Sequence, residues 1–494
     1  MKQLKILPLV AIISGVMVGC GGGSGGSGGG SVPAPKYTWQ MINLYATEQS
    51  NVATGCVIYD EQEGGTGKVI TARVADRGFN VLYHNADGSV ITEYTIDDIP
   101  STGKVTIDTG LVPEDGYVSV EEVSGLLAGD QEVYMFTVQK EFLSNMVVNV
   151  RTAQSSSNVC YQGEQNYSEV SEDAVVSVRQ RSADTSYYQS SYIDMAVDGH
   201  QIASDIPVRA PLEADKKVLI TAFDTYESGK YSDLMHFVFA DASSIYDVNN
   251  PPASLVNNTM VDVEYSDVNF SVTGITLNDE GNSVNLGFNK ELYLWQPIYP
   301  STTMLSFDGA NIAANGWTVE LSGKVDSGDW NYHSLTAYNG LDLNLDAPYV
   351  SSFTSSSSSC GDATNCLNTT GYTDSEFDIQ RTHIRSVTRS GNAFYQTIFS
   401  KPSNSQVLME SSSEEVLDLG DSDRVEVSIA SLDSDDSQSV MYFIENNHNI
   451  QSVVTGSSPD FTDLNGSVST ATQIKNRKVA MMTENVTILE NSAN

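Results

Sequence analysis

The chain has 494 residues, with 25 Lys and Arg against 63 Asp and Glu, a formal net charge of −38 at pH 7. Binding along a phosphate backbone needs a basic surface, so nucleic acid is excluded as a partner. Hydrophobic residues make up 40% and charged residues 18%, a balance that excludes a wholly disordered chain and, at this length, points to three or four domains.

Residues 1–19 read as a signal peptide. Lys2 and Lys5 precede an apolar run from Ile6 to Val18, which is too short for an ordinary membrane-spanning helix and is interrupted by Pro8. The run ends in Met17-Val18-Gly19-Cys20, which resembles a bacterial lipobox. Met17 stands where Leu is usual, and Val18 is bulkier than the usual small residue. The resemblance implies a diacylglycerol on the Cys20 sulfur, cleavage before Cys20 and acylation of the new amine. Residues 21–31 are Gly and Ser only, so 20–36 reads as a flexible tether holding a folded body off a membrane. Several acyl chains anchor far more firmly than one, since each buried methylene contributes about 0.8 kcal/mol. Gly21 and Gly22 replace the Asp that commonly retains lipoproteins in the inner membrane, so the implied destination is the outer membrane.

Beyond the tether, short segments rich in Val, Ile, Thr, Tyr and Phe alternate polar with apolar, as half-buried strands do. Examples are 68–76, 116–123, 133–138, 145–152 and 173–181, separated by turn formers such as Ala86-Asp87-Gly88 and Pro113-Glu114-Asp115-Gly116. No long amphipathic helix stands out, and the class is all-β. A strand-turn-strand pattern recurs at 117–138, 217–239 and 424–445, with a fourth copy at 317–339. A period near 100 residues suits β-sandwich modules of immunoglobulin or fibronectin type III kind. The expected organisation is β-module 1 at 37–155, module 2 at 156–256, module 3 at 257–350 and module 4 at 377–455. A Ser-rich linker with a short disulfide loop covers 351–376, and a polar C-terminal segment covers 456–494. Within that last segment, 479–489 reads as an edge strand or a short helix.

Five cysteines are present, at 20, 56, 160, 360 and 366. Lipidation of Cys20 leaves four in an oxidising compartment, which allow three pairings. Cys56 with Cys160 and Cys360 with Cys366 are favoured, the second closing a short loop of turn formers. Free thiols and a metal site are the alternatives, but neither CxxC-like spacing nor a neighbouring His supports a metal.

No motif identifies a catalytic residue or a bound cofactor. Gly22 to Gly26 matches G-x-S-x-G but lies in the tether, where no strand-to-helix elbow forms. The six His, at 84, 200, 236, 333, 383 and 448, share no metal-ligand spacing. His236 is expected to face outward from its strand. Acidic turns at Asp97-Asp98, at Asp418, Asp421 and Asp423, and at Asp433, Asp435 and Asp436 are weighed for Ca²⁺ against a solvated surface, and the surface reading is preferred. Trp295, Trp317, Trp330 and Tyr332 cluster in module 3. They are either a carbohydrate platform or core aromatics, the commoner case in sandwiches.

Together the lipobox, the tether, Tyr37-Thr38-Trp39-Gln40, Cys56-Val57-Ile58-Tyr59 and the β-modules resemble surface lipoproteins of marine gammaproteobacteria, and more narrowly the flagellar sheath lipoproteins of bacteria with sheathed flagella. The resemblance implies a non-enzymatic, outer-membrane-anchored protein with a structural or coating role and with other surface or sheath proteins as partners. A cell-surface module for adhesion, glycan or Ca²⁺ is the alternative. A lipid-anchored hydrolase using a carboxylate pair ranks third.

Overall fold

The computed structural model describes residues 33–493 except 62–67, 96, 125–131, 151–158, 163–172, 182–186, 193–194, 209–216, 290, 310–315, 362–364, 389–390, 392, 413–416, 419–422, 434–459 and 463–484. Every regular element among the described residues is a strand or a three-residue 3₁₀ turn. The all-β expectation therefore holds, and the strands pack as sandwiches.

The dominant feature is a 14-stranded sheet. Its main path runs Glu291–Pro297, Ser283–Phe288, Gly316–Val325, Asn331–Ala337, Asn485–Ala493, Arg424–Leu432, Ile379–Thr388, Ala393–Ser400, Glu132–Gln139, Tyr117–Ser124, Asn80–His84 and Val90–Tyr94. Neighbours on this path are antiparallel except at Ala393–Ser400 and Glu132–Gln139, which run parallel with Tyr395 opposite Tyr134. Strands from the segments expected as modules 1, 3 and 4 thus share one hydrogen-bonded sheet. A second, six-stranded sheet centres on Lys36–Glu48, flanked by Lys68–Val74, Lys104–Asp108 and Met146–Asn149.

Alternation explains the layers. On the strand Arg424–Leu432, Val425, Val427 and Ile429 point to one face, into the largest core with Ile384, Phe394, Ile398, Leu489 and Trp317. Ala430 points to the other face, where Ile379, Phe399, Phe136, Val138 and Ile488 meet Trp39, Met41, Ile107 and Met146 of the six-stranded sheet. A third core joins Val176, Ile206, Val218, Ile220 and Ala240 in the 174–260 region.

Three of the four expected hairpins form: Tyr117–Ser124 with Glu132–Gln139, Lys217–Phe223 with Leu234–Asp241, and Gly316–Val325 with Asn331–Ala337. The fourth does not close locally. Both edges of Arg424–Leu432 are occupied, by Ile379–Thr388 and by Asn485–Ala493. Two further expectations are corrected. The serine run forms a strand, Thr354–Ser359, paired residue for residue with Asn365–Thr370. Its backbone joins a ladder although its side chains stay largely exposed. The strand expected at 479–489 lies at 485–493 and is interior, because Val486, Ile488 and Leu489 are buried between two neighbours.

One turn shows how tightly the long sheet is clasped. Gly88 has φ +81°, and a Cβ there would lie 2.5 Å from the Leu408 carbonyl oxygen. Its own carbonyl accepts from Glu410 N at 3.0 Å, while Val90 N donates to Glu410 Oε2 at 3.1 Å. Gly88→Ala combines a left-handed backbone with a backbone clash, so a loss of about 2–5 kcal/mol is expected, read as a lower urea midpoint at unchanged slope.

Candidate functional site

The face of the long sheet that packs on the six-stranded sheet is apolar over only half its height. The other half is a polar band whose side chains line up in rows set by the register. One row runs Glu122, Tyr134, Tyr395, Arg385, Arg424 across five strands. The next holds Thr397, His383, Glu426 and Ser492. A third holds Arg381, Ser428, Glu490, Asn331 and Lys324. Three of the chain's eleven arginines stand here, in a molecule whose charge is otherwise strongly negative.

The rows are knitted together. Glu426 lies 2.6 Å from Arg424 Nη2 and 3.8 Å from Arg381 Nη1. Ser428 Oγ donates to Glu490 Oε1 at 3.0 Å, and His383 Nδ1 lies 2.8 Å from Thr397 Oγ1. His333 Nε2 sits 3.0 Å from Glu320 Oε1. Tyr134 and Tyr395 stack with centroids 4.4 Å apart and planes 6° from parallel. The Arg385 guanidinium lies 5.5 Å from the Tyr395 ring centroid. Cross-strand pairs of this kind stabilise a sheet and fix its register. Much of the band is buried, with Glu122, Tyr134, Arg381, Thr397 and Ser428 at most 5% exposed, whereas Arg385 and Arg424 reach the surface with oriented guanidinium groups.

Sequence reasoning missed this band, although a signal was there. Arg381, His383 and Arg385 recur every second residue, as do Arg424 and Glu426. Same-parity charges on strands whose opposite parity is apolar mark a polar face.

Of the residues singled out from sequence, His333 and His383 fall in this band, and the others fall elsewhere or outside the described residues. Cys20 and the Gly22–Gly26 match lie outside the described residues. Cys56 pairs with Cys160 and Cys360 with Cys366. The carbohydrate platform is overturned: Trp295 and Trp330 are fully buried, and Trp317 and Tyr332 are 8% and 5% exposed. Their ring faces pack in the main core. The indole N–H groups of Trp295 and Trp330 donate to the carbonyls of Ser306 and Ser351, which is how an interior sheet accommodates a polar ring edge. His236 is half-buried, not outward, with Nδ1 3.1 Å from Asp262 on the adjacent strand.

Of the acidic turns, Asp98 accepts from the Thr95 backbone, Asp423 from Ser386 Oγ and Asp433 from Asn485 Nδ2. These carboxylates tie down turns and strand ends. The Asp418 side chain and Asp421, Asp435 and Asp436 lie outside the described residues. Among the described residues no three His, Cys, Asp or Glu gather as a metal site. Three surface hollows of about 280, 770 and 730 Å³ are lined by mixed polar groups, the smallest by Tyr37, Glu114, Glu141 and Lys401 among others.

Two buried ionisable groups flank the Gly88 clasp. His84 is fully buried, and burial pushes its imidazole down to about 4, against the partial support of the Gly88 carbonyl. The unfolded chain binds a proton near pH 6.5 that the folded chain refuses until about pH 4. His84 therefore favours the fold above pH 6.5, and that contribution fades as pH falls toward 4, by about 3 kcal/mol in all. Glu121, also buried, is shifted upward by desolvation, so its contribution has the opposite sign and fades as pH rises through its folded pKa. Urea midpoints measured from pH 7 to pH 4 should fall less steeply in His84→Gln than in the wild type.

No protein-family model matches this chain, and no curated protein matches it.

Proposed function

We propose that the chain is a non-enzymatic lipoprotein, anchored in the outer membrane through Cys20, with a structural or coating role at the cell surface, in the sheath around a flagellum. One observation carries the reading. A charged and apolar leader, a lipobox-like Cys and a tether of Gly and Ser run directly into a body made of strands and cross-linked by Cys56–Cys160. The disulfides support an oxidising compartment beyond the cytoplasm. A tether without side chains serves a body that stands off a surface. The extended sheet supports a load-bearing part, because its strands are tied to one another by backbone ladders.

Two measurements test it. Radiolabelled palmitate should enter the wild type and not Cys20→Ser, and the variant should leave the membrane fraction. Gold-labelled antibody against 37–494 should decorate flagella on intact cells. Gold confined to the cell body would remove the sheath assignment. Gold seen only after permeabilisation would place the body in the periplasm and sink the surface reading.

A further inference from the structure

We propose that Arg385 and Arg424 form a binding site for an oxyanion, a carboxylate or phosphate group borne by a ligand. The two side chains are directly opposite in the register of adjacent antiparallel strands, on the polar face. Like charges placed this way repel, and the arrangement costs stability unless an anion lies between them. Arg424 is partly neutralised by Glu426 at 2.6 Å. Arg385 is exposed, and its contact is the ring of Tyr395, with no carboxylate partner among the described residues. Among the described side chains, the other acid beside the pair, Asp423, is engaged with Ser386 Oγ.

The site is built, not merely charged. Tyr134 stacks on Tyr395, and Tyr395 supports Arg385, so the row orders aromatic, aromatic, guanidinium, guanidinium across four strands. A guanidinium held against a ring keeps its N–H fork free and loses less freedom on binding. The Arg385 fork, together with the Arg424 fork that is shared with Glu426, matches the geometry of carboxylate or phosphate oxygens. In a chain of net charge −38, an anion approaching from solution is repelled almost everywhere else, which sharpens selection for this place.

The test is calorimetric titration of the full mature chain in detergent with inorganic phosphate and, separately, acetate, each replacing chloride at constant ionic strength. Saturable binding of one or both is expected. Arg385→Gln should weaken it by about tenfold or more, since a charge-assisted bond is lost. Its melting temperature in chloride should not fall, because a like-charge contact is relieved. Arg385→Lys keeps the charge but not the fork and should bind markedly less well. Tyr395→Leu should weaken binding while leaving both arginines in place, and Lys104→Gln on the other sheet should change nothing. Absence of saturation with either ion, or equal binding by Arg385→Gln, would overturn the proposal. These readouts are independent of where the protein resides in the cell, so they stand or fall apart from the coat assignment.

Discussion

Ending the chain at Glu484 is expected to leave no cooperative native state. The strand Asn485–Ala493 lies inside the long sheet, between Asn331–Ala337 and Arg424–Leu432. It buries Val486, Ile488 and Leu489, together worth about 5–9 kcal/mol of transfer free energy. That equals the net stability of many whole domains, about 5–15 kcal/mol. Removing the strand also bares two ladder edges at the middle of the sheet, which invites pairing with other chains. Limited proteolysis and a urea titration followed by circular dichroism would show it, as rapid cleavage and a transition that is absent or broadened. A truncated chain that unfolded sharply at the wild-type midpoint would contradict the placement. Leu489→Ala is the graded version, with about 2–5 kcal/mol lost and the fold retained.

The second large effect belongs to the longer disulfide. Cys56 and Cys160 are 104 residues apart in sequence, whereas Cys360 and Cys366 are 6 apart. Constraint of the unfolded chain scales with loop length, giving about 4.7 kcal/mol for the long loop and about 2 kcal/mol for the short one. The long bridge also sits in a closed environment. Cys56 is 3% exposed, and the segment around Cys160 bonds across the six-stranded sheet, with Tyr161 N donating to Ala72 O and Val57 N to Tyr161 O. Replacing Cys56 and Cys160 together by Ser should therefore lower the calorimetric melting temperature clearly more than replacing Cys360 and Cys366. Equal shifts, or the reverse order, would show that loop closure does not govern these bridges.

Much of the architecture was legible because its determinants are local. Alternation named the strands, and hairpins with short polar turns found their own partners, as at Gly316–Val325 with Asn331–Ala337. The neighbours of Arg424–Leu432 were not legible. Alternation says which side chains face inward, but says nothing about which distant strand supplies the next ladder. The parallel pairing of Ala393–Ser400 with Glu132–Gln139 joins segments that share no turn and no sequence signal. The aromatic cluster left two readings open, and the preferred one, core aromatics, is what the fold shows. Four large rings within forty residues look like a platform along the chain, while alternation and cross-strand contact with Phe237 and Phe307 turn them into a core. The polar band was readable in part, since Arg381, His383 and Arg385 share a parity, but its rows exist only once five strands are aligned.

The interior position of Asn485–Ala493 also bears on how the molecule comes to be made. Its two neighbours, Asn331–Ala337 and Arg424–Leu432, are synthesised well before it, yet they cannot be joined until residue 493 has left the ribosome. Between the synthesis of residue 432 and that of residue 493 the nascent chain therefore carries a gap inside its largest sheet. Such non-local closure is slow, and an open sheet edge is prone to wrong pairing. If the chain is exported, as proposed above, the delay is an advantage, because a polypeptide that cannot finish folding early stays threadable. Pulse-labelled chains stalled before residue 485 should remain protease-sensitive, and chains released beyond residue 493 should become resistant in one step.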